Sequence, residues 1–425
     1  MNEHAPSEST HSSSAIDDGI RAVNHASSSL QRVLIASSSP PDKGSGIRAY
    51  VNELCESLVG LGIDLHYYSP PPSDPSWLES LGITHLAADQ HSDPIVATRE
   101  LLSYMRAHAI DGAINNDNAL LQSAAPLLNC PLLVIGHMDR RSVGTLACFQ
   151  PEWSDHVVAI SSDMQRTFTR RYGVPITKTP VVYNGVQDRG VSAAPAPDRK
   201  RPLRVAYAGG YSHNKGGSLI VKSLIDEPQS WKNIDFHWFG DVPERIQNKL
   251  AGKSFIRFAG RTPREEFHEM LAKADVFLLP SRKEGCPMAL LEALSFGAVP
   301  IASNGVGAMR WIVQPGRNGF ICDLDRFPSQ LGRCLEYLES NREALNKLRV
   351  ASRESFLRDF QSEQTARELL DLLSRPTVDR SNPPKTIPIL RWHRPFRPDG
   401  LKSPLIDRFC IRFGILRRAG FWVAD

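Results

Sequence analysis

Residues 281–297 read S-R-K-E-G-C-P-M-A-L-L-E-A-L-S-F-G and follow Val276-Phe277-Leu278-Leu279-Pro280. The four apolar residues have the character of a buried strand, which Pro280 ends. From Met288 to Phe296 the segment reads as an apolar helix, closed by Gly297. The stretch is a strand, a turn and a helix. In an open α/β sheet such a corner faces the crevice where ligands bind. The first-turn amides of that helix, those of Met288 and Ala289, lack intrahelical partners and carry partial positive charge, which makes an anion site. Glu284 lies in the turn and Glu292 in the helix, so both can serve a ligand lying across the helix start. An ionised carboxylate accepts hydrogen bonds and can hold a diol without proton chemistry. An anion site flanked by two such groups points to a sugar nucleotide.

Outward from this corner, the chain of 425 residues is too long for one ordinary core and fits two domains of about 150 to 200 residues. Its hydrophobic content of 41% and charged content of 23% are those of a soluble globular protein. No apolar run approaches the ~20 residues of a membrane span. The seven cysteines are scattered without a C-x-x-C, and the N-terminus lacks a signal-peptide core, so a reducing cytoplasm is expected. A net charge of +4 is too small to argue for nucleic acid.

Residues 1–30 are rich in Ser, His and acids and are expected to be a disordered tail. A first domain, 31–186, opens with the apolar run Val33-Leu34-Ile35-Ala36 and the loop Lys43-Gly44-Ser45-Gly46-Ile47. A helix follows with Ile47, Tyr50, Val51, Leu54 and Leu58 on one face. Strands are expected at 65–68, 111–114 and 131–135 with helices between them, an alternation that implies a parallel sheet. The last of these strands runs into Gly136-His137 and places His137 on the ligand side. Residues 187–202 have linker composition. A second domain, 203–374, repeats the opening, with a strand at 203–208 and a glycine turn, Gly209 to Gly216, that holds Lys215. Near Gly260-Arg261 the pattern predicts a capping box of Thr262, Pro263 and Glu265. Residues 375–425 form a basic, Pro- and Arg-rich extension. Within it, 405–423 alternates apolar residues with arginines, which suits peripheral contact with an anionic membrane or packing on the protein's own surface or on a second subunit.

The E-x7-E pair Glu284 and Glu292, followed by A-L-S-F-G-A-V-P-I-A-S, resembles the signature of the retaining family 4 glycosyltransferases over roughly residues 32 to 374. The resemblance implies an α/β chain of two Rossmann-like doubly wound domains facing a central cleft, the GT-B fold. It also implies transfer of a hexose-type sugar from a nucleotide-diphosphate-sugar to a hydroxyl of a glycan or lipid-linked glycan, with retention. By the same resemblance, His137 and Glu284 contact the transferred sugar and Glu292 the ribose. The amides of Met288 and Ala289 and the ammonium of Lys215 hold the phosphates, the Gly46 loop approaches them, and Arg261 lies near the base. No metal cofactor is implied, and the chain has no Asp-x-Asp. Two positions depart from the family pattern. Gly210 stands where an arginine is frequent, with Lys43 or Arg48 as substitute cations, and Arg310-Trp311 stand where Pro-Glu is usual. A nucleotide-sugar epimerase of similar architecture and a decayed nucleotide-binding scaffold are the other readings. Donor base, sugar, acceptor and oligomeric state are left open.

Overall fold

Strand segments that are apolar almost throughout, rather than alternating, demand a sheet covered on both faces. The computed structural model describes residues 30–42, 46–88, 93–137, 141–189, 201–390 and 418–423, without the side chains of 141–143 and 418–423. The first sheet contains β1 (Arg32–Ala36), β2 (Asp64–Ser69), β3 (Thr84–Ala87), β4 (Gly112–Asn115), β5 (Leu132–Gly136) and β6 (His156–Ala159), in the order β3-β2-β1-β4-β5-β6. The second contains β7 (Leu203–Ala208), β8 (Ile234–Phe239), β9 (Ile256–Gly260), β10 (Val276–Leu279), β11 (Val299–Ser303) and β12 (Phe320–Cys322), in the order β12-β11-β10-β7-β8-β9. Every neighbouring pair is parallel. Strand order reverses between β1 and β4 and again between β7 and β10, so each sheet has a switch point at which a crevice opens. The expected doubly wound architecture is present in both halves.

The helix after β1, Gly46–Gly60, buries Tyr50, Val51, Leu54 and Leu58, the stripe its sequence predicts. It also buries Glu53 at 1% exposure, which the apolar pattern does not predict. One apolar cluster fills the first domain and continues across the cleft into Leu290, Leu291 and Leu294 of the helix Met288–Ser295. A second, built on Trp231, Phe236 and Trp238, fills the far side of the second sheet.

Two expectations differ from the structure, and a third is narrowed by it. The segment 203–374 does not stay with the second domain, because at Phe360 the chain returns to the first. Helix Ser362–Leu373 packs on Gly46–Gly60, Ser57 Oγ bonds Ser362 Oγ at 2.8 Å, and Leu373 lies against Gly112. The capping box at Thr262 is absent. The helix starts at Arg264 with Pro263 as its cap, and the Thr262 hydroxyl instead donates to the carbonyls of Ala259 and Gly260. Of the alternatives for 405–423, the described residues 418–423 take the protein's own surface. Residues Thr386–Leu390 (β13) and Arg418–Val423 (β14) pair antiparallel and cover the helices Pro94–Ala107 and Ala119–Ala124. Residues 405–417, like the expected tail up to residue 29, lie outside the described residues.

This hairpin is anchored by Asp155, which is fully buried before β6. Its carboxylate accepts from the amides of Leu132 (2.8 Å), Thr377 (2.7 Å) and Val378 (2.9 Å) and pairs with Arg380 at 2.6 Å. Burial alone would raise this carboxyl, but Arg380 and the amides outweigh it and hold it below its usual range. Ile387 and Ile389 then pack against Ala97 and Leu120, and Leu390 against Ala119 and Leu146.

Candidate active site

β7 and β10 flank the second switch point, and the turns that follow them meet. Gly210 and Gly216 take φ of +56° and +77°, a region favourable only to glycine, and the Tyr207 hydroxyl donates to the carbonyls of Gly210 (3.1 Å) and Lys215 (3.0 Å). The turn so held presents Lys215, whose Nζ lies 2.8 and 3.0 Å from the two oxygens of Glu284. Ser281 Oγ donates to the same carboxylate at 2.6 Å. Glu284 is only 10% exposed at its side chain, whereas Lys215 keeps 42% and faces solvent from the pair. The backbone of Glu284 is fixed as well. Its amide bonds Val306 O at 2.8 Å, and Gly307 packs on its carbonyl too closely for any side chain.

Helix Met288–Ser295 begins after Pro287, whose carbonyl already accepts from Leu290 and Leu291, and it has no side-chain cap. The amides of Met288 and Ala289 have no hydrogen-bond partner among the described residues. They are the first-turn amides at which the sequence leads one to expect an anion site, and they follow the turn that carries Glu284.

Glu292 is placed differently from an open diol-binding group. Its Oε1 accepts from Arg264 Nη2 (2.7 Å) and Nε (3.1 Å) and from His268 Nε2 (3.3 Å). Burial would raise this carboxyl, but the His268 hydrogen bond and the Arg264 charge reverse that, and its pKa is lowered overall. Arg264 Nη2 also pairs with Glu53 of the first domain, and Glu53 in turn accepts from Arg189 Nη2 (2.9 Å) and the Gln187 amide (2.6 Å). Arg264, Glu53 and His268 are members of the site that sequence reasoning missed. The one available signal was an acidic residue inside the apolar stripe Tyr50, Val51, Leu54. Arg261 is not drawn in, being 86% exposed at its side chain and paired with Asp241 at 2.7 Å.

Across the cleft, His137 follows β5 at 4% exposure. Its Nε2 lies 2.9 Å from Asn116 Oδ1, and the Tyr50 ring meets it edge-on at 5.0 Å. Burial lowers its pKa to about 3, so the imidazole is neutral at physiological pH. The carbonyl of His137 packs directly on Gly285. His137, Lys215 and Glu284, far apart in the sequence, thus converge on one corner.

Gly46 heads its helix and is exposed, with open space where a side chain would project. The glycine at 210 has a steric reason. A Cβ there would come within 2.8 Å of Asp241 O, in a left-handed conformation, so the turn is built to exclude the arginine of the family pattern. Of the substitute cations, Lys43 lies outside the described residues. Arg48, in the first turn of Gly46–Gly60, has a buried Nε with no partner among the described residues. At the other departure, Trp311 is 48% exposed and Arg310 bonds Asn304 O at 3.3 Å, which does not explain the change.

Residues 44–189 match the family model described as Glycosyltransferase Family 4, and residues 193–355 match the one described as Glycosyl transferases group 1. The two matched segments fall one to each sheet. It is 31% identical over 204 residues to the lipopolysaccharide 1,6-galactosyltransferase of Escherichia coli K12, covering 46% of this chain and 54% of that protein. With the alpha-maltose-1-phosphate synthase of Mycolicibacterium smegmatis it shares 24% identity over 253 residues, 52% of this chain and 63% of the relative. The chain spans about half the length of the first curated relatives it matches. Anabaena Alr3699/HepE in complex with UDP superposes with a TM-score of 0.67 at 14% identity, over 81% of this chain and all of the other. A glycosyltransferase from Rickettsia africae ESF-5 gives the same TM-score and identity, over 81% of this chain and 98% of that one. These likenesses show the GT-B fold.

Proposed function

We propose that this chain transfers a hexose from a nucleotide-diphosphate-sugar to a hydroxyl of a glycan or lipid-linked glycan, with retention at the anomeric carbon. One observation carries the reading. A cation, a carboxylate and two unbonded helix amides meet at the second switch point, directly opposite His137. The lipopolysaccharide galactosyltransferases among the relatives and the UDP-bound structural neighbours support a nucleotide-sugar donor and a saccharide acceptor.

In this reading the Met288 and Ala289 amides and Lys215 hold the diphosphate. Donor binding draws the Lys215 ammonium from Glu284 toward phosphate, which frees Glu284 to accept hydrogen bonds from the sugar. As the bond to the leaving diphosphate breaks, these donors stabilise the charge that collects on it. That diphosphate can take the proton of the incoming hydroxyl on the same face, so no dedicated base is required, and the protein supplies alignment. His137, being neutral, offers a lone pair and a dipole to positive charge growing at the anomeric carbon rather than opposing it. Glu292, kept ionised by Arg264 and His268, remains an acceptor for the ribose hydroxyls. Phosphate charge is met by Lys215, the helix start and Arg48, which is the basis for proposing catalysis without a metal.

The test is binding by thermal shift against the diphosphates of uridine, guanosine and adenosine and their hexose derivatives, without added metal. Donor consumption with candidate acceptors, read by NMR of the anomeric proton, follows. A selective stabilisation followed by an α-linked product from an α-linked donor supports the proposal. Conversion of the donor sugar with no acceptor present would instead identify an epimerase, and absence of any shift would identify a decayed site.

A further inference from the structure

Residues 115–118 read Asn-Asn-Asp-Asn where β4 ends at the first switch point, and three of the four are fully committed within the fold. Asn115 Nδ2 bonds Asn118 O (3.0 Å) and Gln122 Oε1 (2.9 Å), while its Oδ1 accepts from the Asn118 amide at 2.8 Å. Asn118 caps the helix Ala119–Ala124 through the amides of Leu120 and Leu121. Asp117 binds Ser37 and Ser38.

Asn116 is different. It is 2% exposed, its Oδ1 meets His137 Nε2 at 2.9 Å, and its Nδ2 is buried without a partner among the described residues. A carboxamide oxygen can only accept, so the proton of the neutral imidazole is on Nε2 and the lone pair is on Nδ1. The remaining donor of Asn116, on the same carboxamide carbon, therefore lies beside the ring at the ligand end of the strands. A buried amide N–H2 left unbonded is disfavoured, and such a group in a cleft is one that a ligand oxygen completes.

We propose that Asn116 is both a positioning residue and a sugar-contacting residue: its oxygen fixes the orientation and tautomer of His137, and its nitrogen donates to a hydroxyl of the transferred sugar. This rests on the sugar-transfer reading given above. The chemistry selects an oxygen acceptor held within reach of His137, and it requires both ends of the carboxamide. Aspartate keeps the oxygen and loses the donor, whereas alanine loses both.

The experiment compares the full-length wild type with Asn116→Asp and Asn116→Ala by calorimetry, using UDP, GDP and ADP and then UDP-glucose, UDP-galactose, GDP-mannose and ADP-glucose. The expected result is unchanged affinity for the preferred free diphosphate in both variants. The extra affinity contributed by the hexose falls by about five- to thirtyfold, as for one lost buried hydrogen bond. In protein with ¹⁵N-labelled histidine, with the His137 signals identified by their loss in His137→Gln, the imidazole stays Nε2-protonated in Asn116→Asp and becomes a mixture in Asn116→Ala. If Asn116→Ala does not fold, Asn116→Asp carries the test alone. A full hexose increment in Asn116→Asp, or no increment in the wild type, overturns this proposal while diphosphate binding leaves the transferase reading intact. A wild type that binds none of the seven ligands overturns both.

Discussion

Gly285 of the second domain lies directly under the backbone carbonyl of His137 of the first, so close that no Cβ fits between them. The turn that carries Glu284 is therefore keyed to the strand end that carries His137. A carbonyl cannot rotate away as a side chain can, so Gly285→Ala must separate the two. The overlap costs about 1–3 kcal/mol, visible as a lower melting temperature and at least a tenfold loss of sugar transfer. Gly60→Ala, with nothing within 4 Å of the new methyl, is the control that leaves both unchanged.

Arg264 joins Glu53 and Glu292 across the domain boundary. Arg264→Met removes the only guanidinium that both share among the described residues and leaves two buried carboxylates facing each other. A loss of about 3–5 kcal/mol is expected in urea unfolding. Arg261→Ala, three residues earlier and exposed, leaves the unfolding midpoint nearly unchanged.

The pKa of Glu292 is lowered from 4.5 in the folded chain. The unfolded chain then binds its proton first as pH falls, so this carboxylate stabilises the fold above pH 4.5 and that share is lost as pH falls through the folded value. Melting temperatures of wild type and Glu292→Gln should differ most above pH 4.5 and converge as pH falls below it. Donor affinity in Glu292→Gln falls at all of these pH values, because the amide replaces one acceptor oxygen.

His137 gives the opposite kind of group with the same direction of change. Its folded pKa of about 3 lies below the 6.5 of a free imidazole, so between these values only the unfolded chain is protonated. Stability is drained as pH falls from 6.5 toward 3, and His137→Gln should show a shallower decline over that window. The same variant should lower turnover more than donor affinity, as measured by kcat against KM.

Arg380 is 13% exposed and answers a carboxylate that is not exposed at all. Arg380→Met should therefore destabilise the first domain by about 3 kcal/mol or more. Deletion of residues 376–425 should lower the melting temperature further, since Ala97, Leu120 and Leu146 lose their cover.

Local signals carried the sheets and the strand-turn-helix corner that holds Glu284 and Glu292. Apolar runs such as Val276 to Leu279 and the spacing of Glu284 and Glu292 within one strand-turn-helix unit are properties of neighbouring residues. The partners of those residues are not. Arg264 reaches Glu53 across 211 positions and Lys215 reaches Glu284 across 69, and nothing local to Arg264 distinguishes it from Arg261. At Thr262 the sequence offered a good cap and the backbone used Pro263, because the hydroxyl found carbonyls behind it instead. The return of Ser362–Leu373 to the first domain was equally hidden. Its amphipathic stripe says that one face is covered and does not say by what.

The clasp at Asp155 also bears on how the protein comes into being. The residues that satisfy this carboxylate, Thr377 to Arg380, lie more than 220 positions downstream. A ribosome that has delivered the whole first sheet has delivered a domain whose Asp155 carboxylate has the Leu132 amide but not yet Arg380, and whose helix pair is uncovered. Domains generally fold as units in the order of their synthesis, but here the sheet of residues 32–159 is finished only after the whole second sheet has been made and residues 377–390 have followed it.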